Sequence, residues 1–191
     1  MIRSYIHRCQ KDGVKIVMNC EVTPELIKEE KPDSVIIATG SRTLILPIEG
    51  IDNPAIIHGS DLLDGKRPAG KKVLVVGGGM VGCETAAFLG EQEHDVTVIE
   101  FRDTVGADVI HEHRVYLMKD FEDYGIKEIT GAKVCKFYED GVEYETADGV
   151  RHESRGYDSV ILSMGFRNYN PLEEKIKDLV PETHVIGDAI R

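Results

Sequence analysis

Residues 72–100 carry the pattern that most constrains the fold of this chain, KVLVVGGGMVGCETAAFLGEQEHDVTVIE. The apolar run Val73–Val76 predicts a buried strand, the glycine cluster predicts a tight turn, and the apolar spacing after it predicts an amphipathic helix. A second strand then ends in the acid Glu100. A strand, a G-x-G-x-x-G turn, a helix and a second strand that ends in an acid together predict a dinucleotide-binding unit.

Each part of this motif has a physical role in holding a dinucleotide. Gly77 allows the tight turn, Gly79 lets the backbone approach a pyrophosphate, and Gly82 lets the helix lie close to the strand. The N-terminus of the helix offers free N–H groups and the positive end of the helix dipole, which favour an anion. The predicted phosphate-binding residues are therefore Gly77, Gly78, Gly79, Met80, Val81 and Gly82.

Glu100 predicts which nucleotide the unit binds. A carboxylate at the end of the second strand can accept hydrogen bonds from both hydroxyls of the adenosine ribose, and it would repel a 2′-phosphate. We therefore predict NADH rather than NADPH. Arg102 lies two positions further on and could reach a 2′-phosphate; its alternative interpretation is a solvated surface arginine.

Composition excludes several classes of partner. The net charge of −11 argues against nucleic acid or an anionic membrane as a partner. No window approaches the roughly 20 apolar residues of a membrane span, and the first residues lack the apolar core of a signal peptide, so a cytoplasmic location is expected. The four cysteines are far apart and His111 and His113 are poorly spaced for one ion, so no metal site is expected.

The rest of the chain predicts an α/β protein. Pro and Gly between residues 41 and 70 mark connecting segments, and Asp140-Gly141 and Asp148-Gly149 predict the hairpin turns of an antiparallel meander. Leu117 and Phe121, with Val115 and Met118, are available for one face of a helix that ends before Gly125. The predicted elements are helices at 2–9, from 23 and at 109–124, strands at 14–22, 33–38 and 158–163, and a final strand at 184–186.

Two segments look like an internal repeat. Residues 33–40 read DSVIIATG and residues 158–165 read DSVILSMG, so each predicts a buried strand that runs into a turn with glycine. Such a repeat would suit two nucleotide-binding halves of similar build. An earlier glycine-rich loop is missing, so one of the two halves is expected to be incomplete.

The motifs VLVVGGGMVGCE, VTVIE, VIIATG and HVIGDA resemble the two-dinucleotide flavoprotein oxidoreductases, the pyridine nucleotide-disulfide oxidoreductase superfamily. Within it, residues 61–100 are similar to the C-terminal region of NADH:flavin oxidoreductases of the old yellow enzyme type, the 2,4-dienoyl-CoA and 2-enoate reductases. The resemblance implies a Rossmann-like NADH-binding domain at 46–165, with a parallel sheet and an antiparallel meander. That domain would be inserted in an incomplete FAD-binding domain at 1–45 and 166–191.

The resemblance also implies roles for single residues. Glu84 would lie toward the nicotinamide, where it could accept a hydrogen bond from the carboxamide; its alternative role is to favour the helix dipole. Gly165 would let the backbone pass close to NADH. Ser163-Met164-Gly165 replaces the family's usual Ala-Thr-Gly, and Glu93 stands where a helix-ending glycine is common. The residues expected to line FAD are Ala38, Thr39, Gly40, Gly187 and Asp188, with Asp188 at the ribityl or phosphate portion.

The function implied is transfer of hydride from NADH to FAD, for onward reduction of an enoate or enoyl-CoA in a part of the enzyme outside this chain. The family's first FAD loop, its N-terminal FMN barrel and its iron–sulfur cysteines have no counterpart here, so a fragment is expected, inactive alone and able to form an oligomer. No catalytic residue is predicted, because hydride transfer is cofactor chemistry. The alternative is a structural or ADP-binding module. A disulfide reductase is disfavoured, because no closely spaced cysteine pair occurs.

Overall fold

The computed structural model describes residues 2–190, which divide into two compact units. The inserted unit is the continuous segment Arg42–Arg167, and the flanking unit comprises residues up to Ser41 and from Asn168 onward. These divisions fall within a few residues of the predicted boundaries at 45/46 and 165/166. No helix among the described residues is long and apolar enough to cross a membrane.

The inserted unit contains the dinucleotide motif and most of the regular structure. Its helices are α3 (Gly59–Leu63), α4 (Met80–Glu91) and α5 (His111–Asp123). Its strands are β3 (Ile57–His58), β4 (Lys72–Val76), β5 (Asp95–Ile99), β6 (Lys127–Ile129), β7 (Ala132–Tyr138), β8 (Gly141–Thr146), β9 (Arg151–Ser154) and β10 (Ser159–Leu162).

The inserted unit has three layers. Strands lie in the order β3-β10-β4-β5-β6 in one parallel sheet, and β7, β8 and β9 form an antiparallel sheet. On one face of the parallel sheet, Val73 and Val75 pack with residues of α4 and α5. On the other face, Leu74 and Val76 pack with residues of the antiparallel sheet. Both faces of β4 are covered, which explains why its apolar residues form a continuous run. The predicted α/β class, with a parallel sheet and an antiparallel meander, is confirmed.

Helix α5 buries a narrower face than the sequence predicted. Leu117 and Phe121 are buried, as predicted, and Met118 packs against the same cluster. Val115 is 56% exposed, so its assignment to the buried face was wrong. Leu117 and Phe121 are four residues apart and share one face, whereas Val115 is offset from Leu117 by two residues and points elsewhere. Gly125, with φ of 66°, follows the helix as predicted.

Helix α4 ends in a left-handed turn at a residue other than glycine. Glu93 has φ of 63°; its N–H donates to the Gly90 carbonyl, and the His94 N–H donates to the Leu89 carbonyl. These two bonds form the Schellman motif, which usually places glycine at this position. Glutamate in place of the family's usual glycine therefore leaves the Schellman motif intact. The left-handed conformation is strained at Glu93, because this residue has a Cβ and glycine does not.

The flanking unit is smaller and has a core of its own. Strand β1 (Ser34–Ile37) pairs in parallel with β12 (Glu182–Val185), and α2 (Pro24–Glu30) and α6 (Glu173–Ile176) contribute to a cluster around Ile27, Ile37 and Ile176. The helix predicted from residue 23 is present as α2, and Thr23 caps it, because the Thr23 side chain accepts the Leu26 N–H. The remaining elements are α1 (Ile2–Lys11), a 3₁₀ turn (Gly187–Ala189), and β2 (Ser41–Thr43) and β11 (Phe166–Asn168), which pair where the chain passes between the units.

The predicted strand at residues 14–22 was wrong. That segment has no strand or helix, and its apolar side chains are exposed, with Met18 at 76% and Val17 at 58%. A strand is stabilised by hydrogen bonds to a neighbour and by burial of one face. Within residues 2–190 the sheet of the flanking unit contains β1 and β12, and neither pairs with this segment.

Candidate dinucleotide site

A cleft of about 430 Å³ lies at the carboxyl ends of β4, β5 and β10 in the inserted unit. In an open parallel sheet this is the edge at which ligands bind. Five residues that the sequence motif assigned to the dinucleotide lie in its lining, and so does Gly165, which the family resemblance added. Four segments from separate parts of the chain meet there. The lining residues are Val76, Gly77, Gly79, Met80, Val81, Ile99, Glu100, Phe101, Arg102, Asp108, Ala132, Val134, Ser163, Met164, Gly165 and Phe166.

The glycine turn is packed so tightly that side chains would not fit at two of its positions. Gly77 has φ of 105°, and a Cβ there would overlap the Ser163 carbonyl. A Cβ on Gly82 would overlap the Gly77 carbonyl oxygen. The first contact joins the turn to β10, and the second sets the start of α4 against β4. The predicted roles of Gly77 in the turn and of Gly82 in close packing agree with this geometry.

Glu100 is fixed in place by backbone groups. Its Oε2 accepts the Gly78 N–H at 2.6 Å and its Oε1 accepts the Arg102 N–H at 2.9 Å. A carboxylate has about four acceptor positions, so each oxygen keeps one for a further donor. A Cβ on Gly78 would lie 2.9 Å from the Glu100 Cβ, so Gly78 lets the glycine turn approach this side chain. Glu100 can therefore receive two hydroxyl groups without having to change its conformation.

Asp108 is a site residue that sequence reasoning missed. Its Oδ1 accepts the Met80 N–H at 3.0 Å, in the first turn of α4. Asp108 follows Glu100 in a segment with no helix or strand, residues 101–110, and reaches the turn from a position 28 residues later. No local pattern marks such a contact. The amide end of α4, where the sequence predicts a phosphate, therefore carries a carboxylate.

Cys83, just beyond this turn, is a packing residue. It is fully buried, and its Sγ–H donates to the Gly78 carbonyl at 3.3 Å. Burial raises the pKa of the thiol to about 12, because the thiolate would lose its hydration. The low pKa that a helix N-terminus can give a cysteine is therefore absent at Cys83.

Glu84 lies outside the set of residues that line the cleft. Its Oε1 is 3.4 Å from the Nε2 of His113 on α5, and both side chains are nearly half exposed, at 45% and 46%. The pair therefore links α4 to α5 at the surface. The predicted contact of Glu84 with a nicotinamide stays a prediction.

The residues expected at FAD lie in the flanking unit and come from two distant segments. The Ile186 N–H donates to the Ile37 carbonyl at 2.9 Å, which continues the parallel pairing of β1 and β12. The segments that follow both strands, 38–40 and 187–188, therefore leave the same edge of that sheet. Gly40 and Gly187 have φ of 71° and 63°, and the Gly40 carbonyl accepts the Tyr169 N–H. This edge holds Ala38, Thr39, Gly40, Gly187 and Asp188.

Comparison with known proteins identifies relatives over nearly the whole chain. A cinnamate reductase of Clostridium sporogenes is 31% identical over 93% of this chain and 26% of its own length. An NADH oxidase of Thermoanaerobacter brockii is 33% identical over 93% of this chain and 28% of its own length. The solved structure of a 2-naphthoyl-CoA reductase complex superposes with a TM-score of 0.88 and 32% identity, covering 99% of this chain and 29% of that one.

The chain thus spans between a quarter and a third of the lengths of these relatives. Residues 5–182 match the family model described as pyridine nucleotide-disulphide oxidoreductase. The sequence resemblance to this family and to the enoate reductase type of enzyme is confirmed. Fold, glycine turn and relatives agree, and the chain belongs to the pyridine nucleotide-disulphide oxidoreductase family.

Proposed function

We propose that the inserted unit is the NADH-binding domain of a flavoprotein oxidoreductase. The observation that carries this proposal is the position of Glu100, whose two oxygens are held by the Gly78 and Arg102 amides beside the glycine turn. Each oxygen keeps an acceptor position for a ribose hydroxyl, and the negative charge disfavours a 2′-phosphate. The name of the NADH oxidase among the relatives supports the same nucleotide.

The flanking unit would supply part of an FAD site. Ala38, Thr39 and Gly40 leave β1 beside Gly187 and Asp188, which follow β12. Backbone at the carboxyl edge of a parallel sheet can approach a dinucleotide closely, and glycine at two of these positions leaves that edge open. We assign these five residues to FAD, with the rest of that site in a part of the enzyme outside this chain.

The residues of this chain would act by placement. NADH, when bound, supplies the hydride that reduces FAD. The glycine turn would hold the pyrophosphate through backbone amides, and Glu100 would fix the adenosine ribose. Gly165, three residues after the end of β10 and with φ of 96°, leaves space along the cleft wall. Met164 and Phe166 add apolar surface that limits water in the cleft.

The acceptor of the electrons would lie outside this chain. The names of the cinnamate reductase and the 2-naphthoyl-CoA reductase point to an unsaturated acid or its CoA thioester as the substrate class. Those relatives are three to four times as long as this chain, which leaves room for further domains. We also propose that the whole enzyme has an N-terminal barrel domain that binds FMN, together with an iron–sulfur cluster. Its proposed location is the cytoplasm.

Calorimetric titration of the chain with NADH, NADPH and ADP tests the nucleotide assignment. We expect NADH to bind and NADPH to bind at least about tenfold more weakly, because its 2′-phosphate would face the Glu100 carboxylate. Glu100→Ala should weaken NADH about tenfold or more, since two charge-assisted hydrogen bonds are lost. Glu100→Gln keeps the shape of the side chain and one acceptor oxygen but removes the charge, so it should narrow the difference in affinity between NADH and NADPH.

Other outcomes would change the assignment. Tight NADPH binding by the unaltered chain would overturn the role of Glu100. ADP binding as strong as NADH binding, with no reduction of added FAD by NADH in a longer form of the protein, would indicate a structural nucleotide site. Absence of binding by every nucleotide would contradict the proposal.

A further inference from the structure

The Asp108 carboxylate lies against the first turn of α4, beside the glycine turn. Its Oδ1 accepts the Met80 N–H at 3.0 Å. A Cβ built on Gly79 would lie 3.0 Å from Oδ2 and 3.4 Å from Oδ1, so both oxygens face the backbone of these two residues. The carboxylate therefore takes up one of the N–H groups that a helix of this length leaves without a partner inside the helix.

A dinucleotide pyrophosphate needs the same place. The amide end of a helix attracts an anion through its free N–H groups and its dipole, and the glycine turn exists to let phosphate oxygens come close. In this structure the Met80 N–H instead donates to the Asp108 carboxylate, which is an anion of the chain itself. A phosphate and the Asp108 carboxylate cannot both accept the Met80 N–H in this arrangement, and their like charges repel at short distance.

The surrounding segment is anchored, whereas the side chain has room to leave. The Gly106 N–H donates to the Gly78 carbonyl at 2.7 Å, and Arg114 donates to the Val105 carbonyl. Val105 and Val109 are buried on either side of Asp108, which is itself exposed. Rotation of the Asp108 side chain toward solvent would free the Met80 amide without displacing the segment.

We propose that Asp108 is an internal competitor for the phosphate site, an autoinhibitory contact that must open when a dinucleotide binds. Without a nucleotide it accepts the Met80 N–H in the first turn of α4. The contact must break before a phosphate can bind there, so it lowers the affinity for the nucleotide. Asp108 would therefore favour exchange of the nucleotide over tight retention. This inference rests on the proposed function, because it assumes that the glycine turn receives a pyrophosphate.

Titration of Asp108 variants with NADH, ADP and adenosine tests the competition. Asp108→Ala removes the competing acceptor and its charge, so the dissociation constants for NADH and ADP should fall about tenfold. Asp108→Asn keeps an oxygen that can accept the Met80 N–H but removes the charge, so a smaller fall is expected. Adenosine has no phosphate, so its affinity should stay unchanged.

Asp103→Asn is the matched control, because it removes the same charge from the same segment at a residue outside the cleft lining. We expect it to leave NADH and ADP binding unchanged. The amide resonance of Met80 supplies a second readout, since it should shift in ligand-free Asp108→Ala and in the unaltered chain when NADH is added.

The two proposals fail in different ways. NADH affinity that is equal or lower in both Asp108 variants, with thermal melts close to that of the unaltered chain, would overturn the competition and leave the NADH site standing. An equal gain in NADH affinity in Asp103→Asn would show that the net charge of the segment, and not the position of Asp108, causes the effect. That result would also overturn the competition. Binding that only the Asp108 variants show would support both proposals, and no binding by any variant would overturn both.

Discussion

Replacing Glu93 with glycine should stabilise the inserted unit, although the substitution removes a whole side chain. Glu93 has φ of 63° at the end of α4 and its side chain is exposed. Within residues 2–190, its hydrogen bonds are made by its backbone: the N–H donates to Gly90, and the carbonyl accepts from the Lys71 Nζ. Glycine can keep both bonds, so the change acts on backbone conformation alone.

The size of the effect follows from two opposing terms. A left-handed conformation costs a residue with a Cβ about 1–2 kcal/mol, and glycine loses roughly 0.5–1 kcal/mol more conformational entropy when it is ordered. The difference is a gain of about 0.5–1 kcal/mol in the free energy of unfolding for Glu93→Gly. For a unit of this size, the midpoint of thermal unfolding should rise by about 2–4 °C.

Urea denaturation followed by circular dichroism measures this gain, with Glu91→Gly as the matched control. Glu91 lies in the last turn of α4 with an exposed side chain, so the same substitution should destabilise the unit by up to about 1 kcal/mol. Glu93→Ala retains the strain and should stay near the unaltered chain. A lower urea midpoint for Glu93→Gly than for the unaltered chain would refute the assignment of strain to Glu93, provided that the slope of the unfolding free energy against urea concentration is unchanged.

Two further predictions concern the glycine turn. Gly82→Ala should weaken NADH binding about tenfold or more and lower the free energy of unfolding by about 1–3 kcal/mol, because the new Cβ would overlap the Gly77 carbonyl oxygen. Calorimetric titration measures the first effect and urea denaturation the second. NADH binding equal to that of the unaltered chain would contradict the close packing. Cys83, fully buried with its thiol pKa raised to about 12, should resist alkylation by iodoacetamide between pH 7 and 9, whereas exposed Cys20 should be labelled. Mass spectrometry of the folded chain measures both, and rapid labelling of Cys83 would show that the start of α4 opens.

The sequence was informative wherever short-range patterns decide the structure. The apolar run of β4, the glycine turn and the Asp-Gly dipeptides each act within a few residues, and the elements that they predict are present. Thr23 marks the start of α2 in the same way. These predictions needed no knowledge of distant contacts.

The sequence failed where a contact joins distant segments. The segment 14–22 has the apolar content of a strand, but pairing decides whether a strand forms, and no described strand pairs with it. Asp108 reaches Met80 across 28 residues, and Glu84 meets His113 only because α4 and α5 pack together. Periodicity does not encode such pairings, so the electrostatics of the phosphate end could be read only from the structure.

The pairing of β2 with β11 explains how one unit can interrupt another. The chain leaves the flanking unit in β2 and returns to it in β11, so the two ends of the inserted unit are neighbours. Strand β1 then meets β12 although a whole folded unit separates them in sequence. Closing a loop of unfolded chain becomes less favourable as the loop lengthens, but a folded insertion with adjacent ends acts as a short connection. Such an arrangement lets the inserted unit lengthen or shorten its own loops without changing the register of the sheet that it interrupts.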